Sequence, residues 1–83
     1  GEHSHAVAFE ADLPRHGLGV YLILNAYWEP LTFQLPAGRA WRRWIDTALA
    51  SPADVCEWQA APPVAATEYE AGPRSVAVLY AAD

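Results

Sequence analysis

Six short runs with the apolar pattern of β-strands, each closed by turn chemistry, restrict this chain to a small all-β fold. The clearest is residues 31–35, where Leu31, Phe33 and Leu35 alternate with Thr32 and Gln34, so that one face is apolar and the other polar. Residues 4–10 alternate as well, with His5, Val7 and Phe9 on one face and Ala6, Ala8 and Glu10 on the other. Between that run and the dense apolar strand 20–25, the sequence Asp12-Leu-Pro-Arg-His-Gly17 is turn chemistry: proline presets φ, and glycine accepts positive φ. A fourth strand covers residues 41–46, and the last two, 67–71 and 75–81, are expected to form a hairpin around Gly72-Pro73. The segment 48–66 is long for a connection in a compact domain. Within it, Ser51-Pro-Ala-Asp54 has the logic of a helix start, because Ser51 can cap and Pro52 needs no N–H. One short helical turn is expected there, ending before Pro62-Pro63. The predicted fold is a small antiparallel β-sandwich of about six strands.

Size and charge narrow the function. A chain of 83 residues makes one domain and falls far short of the roughly 250 residues of a catalytic (β/α)₈ barrel. So small a domain has little hydrophobic burial to spare, and its four Trp, four Tyr and two Phe are its main resource. The net charge of −5 repels phosphate backbones and argues against nucleic acid as a partner. The single cysteine, Cys56, fits a reducing cytoplasm, and no apolar run approaches a membrane span.

The candidate chemical groups are sparse. Glu68 and Glu70 stand on one face of a strand, roughly 6.5–7 Å apart along it, the kind of carboxylate pair a glycosidase needs. A period-2 acidic face is more simply the solvated side of a strand. His3 and His5 can face a common metal but lack the third and fourth ligands zinc requires. Cys56 has no neighbouring cation to activate it. No catalytic residue, metal site or cofactor is therefore assigned. Tyr27 and Trp28 are different, because they occupy a loop between strands, where a core role is least automatic. With Trp58 they are the candidate glucan contacts, since exposed aromatic faces hold sugar rings; covering the end of their own sandwich, or docking on a neighbouring domain, are the plainer roles. Asn25, Asp46 and Thr47 stand at strand ends, where their side chains can satisfy unpaired backbone groups.

Three stretches, in order, carry a family likeness: Asn25-Ala-Tyr-Trp-Glu-Pro-Leu-Thr-Phe-Gln-Leu-Pro36, then Trp41-Arg-Arg-Trp-Ile-Asp-Thr-Ala48, then Arg74-Ser-Val-Ala-Val-Leu79. Together they resemble the C-terminal β-sandwich domain of isoamylase-type glycogen debranching enzymes, hydrolases of the α-amylase superfamily that cleave α-1,6 branches. The likeness runs from about Ser4 to Leu79, and the wording of residues 26–30 is nearer the bacterial branch than plant isoamylase. It implies that residues 1–83 are a single accessory domain that follows a catalytic barrel, packs on it and carries none of its chemistry. A maltooligosyl-trehalose hydrolase and a stand-alone carbohydrate-binding module are the alternatives.

Two expectations about packing follow. The alternation puts Leu22, Leu24, Phe33, Trp41, Ile45, Val76 and Val78 in the core, with Trp41 and Ile45 on one face and Trp44 opposite them. The strands containing Leu22 and Val78 are, however, apolar on both faces. Tyr21, Ile23 and Leu79 on the second face are thus expected to form an interdomain surface that the barrel covers, the alternative being that the long 48–66 segment folds over part of it.

Overall fold

The computed structural model describes residues 5–82. Six strands form two antiparallel sheets: β1 (Ala6–Leu13), β2 (Leu18–Asn25), β3 (Leu31–Gln34), β4 (Arg42–Asp46), β5 (Glu68–Ala71) and β6 (Ser75–Ala82). The larger sheet has the order β1-β2-β6-β4, and the smaller is the two-stranded ribbon β3-β5. The all-β fold expected from the strand pattern is the fold observed. Among the described residues no helix is long and apolar enough to cross a membrane.

The β1-β2 hairpin closes through a 3-10 turn at Pro14–His16, and Gly17 accepts φ 56° so that its N–H can reach the Pro14 carbonyl at 3.2 Å. The 48–66 connection contains one helical turn, but at Trp58–Ala60 and not at residues 51–54. Its larger role is to cover the outer edge of β4. Asp46 N bonds Asp54 O, Cys56 N bonds Trp44 O, Arg43 N bonds Pro62 O and Val64 N bonds Trp41 O. An edge that would otherwise expose its backbone is occupied by the chain itself.

The expected last hairpin does not form. β5 pairs with β3, from Leu31 opposite Ala71 to Gln34 opposite Glu68, while β6 pairs with β2 and β4. The Gly72-Pro73-Arg74 turn carries the chain from one sheet to the other. Arg74 takes positive φ (52°), Ser75 Oγ donates to Gly72 O and Arg74 N donates to Tyr27 O.

The core lies between the sheets, and this reverses the expected orientation of the larger one. Tyr21, Ile23, Ala77, Leu79 and Ala81 point inward, against Ala71, Phe33, Leu35 and Tyr69 of the ribbon side, with Trp41 and Val64 closing one end. Ile23 and Leu79 are 0 % exposed. The interdomain surface expected of Tyr21, Ile23 and Leu79 is therefore not a surface: the domain's own ribbon covers it. Alanines at 77 and 81 of β6 leave room for the ribbon to approach. Of the expected core, Trp41 and Val78 are buried, while Leu22, Phe33, Ile45 and Val76 are half-buried and Leu24 is exposed.

A register shift between Arg43 and Ile45 explains another departure. Arg43 lies opposite Leu79 on the inner face, but one extra residue puts Ile45 opposite Val78 on the outer face and returns Asp46 to the inner one. Trp41 and Ile45 thus lie on different faces of the sheet. Trp44 also points outward, where it meets Trp58 edge-on at 5.2 Å between ring centroids.

Candidate functional site

Two surfaces stand out: the outer face of the large sheet, and the loop between β2 and β3. The outer face is built by the pairing register. Val7 lies opposite Leu24 and then Val76, Phe9 opposite Leu22 and then Val78, and Ala11 opposite Val20 and then Tyr80. The row ends with Leu13, Leu18 and Ala82. None of these side chains is charged. Near β4 the face is covered, because Trp58 stacks on Tyr80 with centroids 4.2 Å apart and accepts the Tyr80 hydroxyl at its carbonyl. Toward β1 it is open: Phe9 is 54 % exposed, Val7 49 % and Leu24 39 %. Three strands about 4.8 Å apart, rising ~3.4 Å per residue, span roughly 10 × 24 Å. That is a few hundred Å², the scale of one side of an interdomain contact.

β1 is inverted relative to an ordinary sandwich strand. Its large apolar residues Val7, Phe9 and Leu13 point away from the core, while Ala8 packs against it and the acidic residues Glu10 and Asp12 lie on the same inner side, where Arg39 reaches them at 3.5 and 2.6 Å. The Arg39 side chain crosses directly over Gly19, whose missing Cβ would stand 1.2 Å from Nη1. It also lies over the Trp41 ring at 5.9 Å. No motif announced this arrangement; the signal was Gly19 at the start of an apolar strand, where a missing side chain allows close approach of another group.

The β2-β3 loop is pinned by Asn25, which is fully buried. Its Nδ2 donates to the carbonyls of Glu29, Ala71 and Gly72 at 3.0–3.2 Å, and its Oδ1 accepts the Tyr27 N–H at 2.9 Å. Ala26 N donates to His5 O. On this frame Trp28 is 63 % exposed, beside Tyr27 at 5.5 Å between centroids, and Tyr27 in turn faces His5 at 5.4 Å. Trp58 does not join them. It stacks on Tyr80, five residues from the β6 end that lies beside the loop, or about 17 Å along the strand.

The remaining candidates are held in structural roles or stand apart. Buried Asp46 accepts the Ala48 N–H and the Tyr69 hydroxyl, and Thr47 Oγ1 accepts the Val76 N–H. These bonds, with those of Asn25, fix strand ends as expected. Burial, and then the bond to the Asp46 carboxylate and its charge, hold the Tyr69 hydroxyl well above the usual tyrosine range. Tyr21 is raised by burial and, secondarily, by the Glu10 charge. Glu68 and Glu70 are both exposed on β5, and Glu68 accepts from Gln34 Nε2 at 2.8 Å. They line neither of two surface hollows formed by described residues, one of about 490 Å³ between residues 34–41 and 64–67, the other of about 290 Å³ at residues 13–16. Cys56 is half-buried with its thiol toward Ala53 O at 3.7 Å. His3 lies outside the described residues, and among those described no three His, Cys, Asp or Glu side chains gather as metal ligands. Compared with known proteins, the chain matches no protein-family model and no curated sequence.

Proposed function

We propose that this chain is a non-catalytic C-terminal β-sandwich domain of a cytoplasmic, isoamylase-type glycogen debranching hydrolase, and that it packs on the catalytic barrel of the same protein and stabilises it. The parent enzyme cleaves α-1,6-glucosidic bonds with carboxylates that belong to the barrel. The observation that carries the reading is the uncharged outer face formed by β1, β2 and β6, with Phe9, Val7 and Leu24 left open. A lone domain has no use for a third apolar layer, whereas a domain seated on a barrel does. The ordered likeness of residues 25–36, 41–48 and 74–79 is what supports a debranching barrel as the partner.

The test is the reading frame upstream of Gly1, followed by expression of its product and this domain as separate chains. A barrel of about 250 residues that binds the domain, with binding lost in Phe9→Asp, supports the reading. An upstream frame without a barrel, or a barrel indifferent to Phe9→Asp, refutes it. The isolated domain is expected to release no reducing sugar from glycogen.

A further inference from the structure

We infer that the β2-β3 loop is a glucan-binding platform, with Tyr27 and Trp28 as its two stacking rings. The choice of α-glucan within the class of neutral sugars rests on the debranching reading; the platform itself rests on geometry.

Both neighbours of Trp28 are tied down. Tyr27 donates its N–H to Asn25 Oδ1 and accepts the Arg74 N–H at its carbonyl, and the Glu29 carbonyl accepts from Asn25 Nδ2. The indole between them is nevertheless the most exposed of the chain's large apolar side chains among the described residues. A rigid backbone that holds a large apolar ring in water has already met the ordering cost of binding. The indole leans on Tyr27, but the loop is held to Ala71 and Gly72 by Asn25 and not by Trp28. The surrounding chemistry narrows the ligand. A polyanion that stacks its bases needs a basic groove, whereas here Glu29 accompanies the single arginine of the Gly72-Pro73-Arg74 turn and the chain carries −5 overall. A neutral hexose polymer needs only ring faces for its C–H surfaces and polar groups nearby, and His5, whose ring meets Tyr27, and the exposed Glu29 are the neighbouring polar residues. The Tyr27 and Trp28 planes are inclined by 44°. Inclined rings follow a coiled α-linked chain, whose successive sugars turn, better than a flat β-1,4-linked ribbon.

The test is native electrophoresis of the intact chain in gels containing glycogen or hydroxyethyl cellulose, paired with titration of the Trp28 side-chain NMR resonance by maltoheptaose. Retardation by glycogen alone, a Trp28 shift that saturates, and mobility restored to that of a non-binding protein in Trp28→Ala support the proposal. Because Trp28 is exposed, that variant keeps its fold, and far-UV circular dichroism checks this. No retardation, or retardation that survives Trp28→Ala, overturns the platform. Retardation lost in folded Trp58→Ala instead overturns its location, and a preference for the cellulose derivative overturns the α-glucan assignment. None of these outcomes depends on Phe9 or on a barrel, so failure here is distinct from failure of the docking reading.

Discussion

Leu79→Ala and Leu24→Ala remove the same three carbon atoms from opposite faces of the large sheet, so their difference reports which face is the interior. Leu79 is 0 % exposed in the middle of β6, whereas Leu24 is 39 % exposed on the outer face. At ~0.8 kcal/mol per buried carbon, the transfer loss at Leu79 is about 2.4 kcal/mol. The cavity left between sheet and ribbon brings the total to about 3–5 kcal/mol. At Leu24 the same loss, scaled to the buried portion, is roughly 1.5 kcal/mol with no cavity to add. An 83-residue domain has about 4–12 kcal/mol in all. With ~4–8 °C lost per kcal/mol at this size, a 3 kcal/mol loss at Leu79 lowers Tm by about 12–24 °C, against roughly 6–12 °C for Leu24→Ala. Urea and thermal unfolding followed by circular dichroism measure both, with unchanged urea m-values as the check that two-state unfolding holds. Equal costs, or a larger one at Leu24, would show that the sheet faces the ribbon with its other side.

Further outcomes are expected elsewhere. Asn25→Ala leaves the Tyr27 N–H and the carbonyls of Glu29, Ala71 and Gly72 without their partner, and is expected to cost about 3 kcal/mol in urea unfolding. Hydrogen exchange at Tyr27 should accelerate in that variant more than exchange in β6. The raised Tyr69 hydroxyl makes stability fall as pH rises above about 10, because the unfolded chain releases that proton while the folded one keeps it. Below that pH the contribution is fully present, and Tyr69→Phe should flatten the alkaline slope of a stability–pH curve. Gly19→Ala drives a Cβ into Arg39 and should release the guanidinium from Glu10 and Asp12. The lost pairs are partly exposed, so their part of the cost is at most about 1 kcal/mol, and unfolding of the variant should be less sensitive to salt than that of the parent.

Strand positions were legible in the sequence because they depend on local chemistry. Proline and Gly17 close the first hairpin, Leu31–Gln34 alternates cleanly, and Asn25 and Asp46 end strands by bonding the backbone N–H two residues on. The exposed position of Trp28 was also within reach, since a loop aromatic has no alternation to bury it. What the tertiary structure alone decided is which way the large sheet faces. In β2 and β6 both period-2 faces are apolar, so alternation gives no preference between Leu22 with Leu24 and Tyr21 with Ile23. The choice falls to the element that arrives to cover one side. Here that is the β3-β5 ribbon, whose two strands are 34 or more residues apart in register and meet only once the fold has formed. The extra residue between Arg43 and Ile45 is likewise invisible to a strict alternation, and it reverses the phase of β4 after that point. One apolar face of β1, β2 and β6 was bound to remain outside because the ribbon covers a single side, and that face is Val7, Phe9 and Leu24 in place of Tyr21, Ile23 and Leu79.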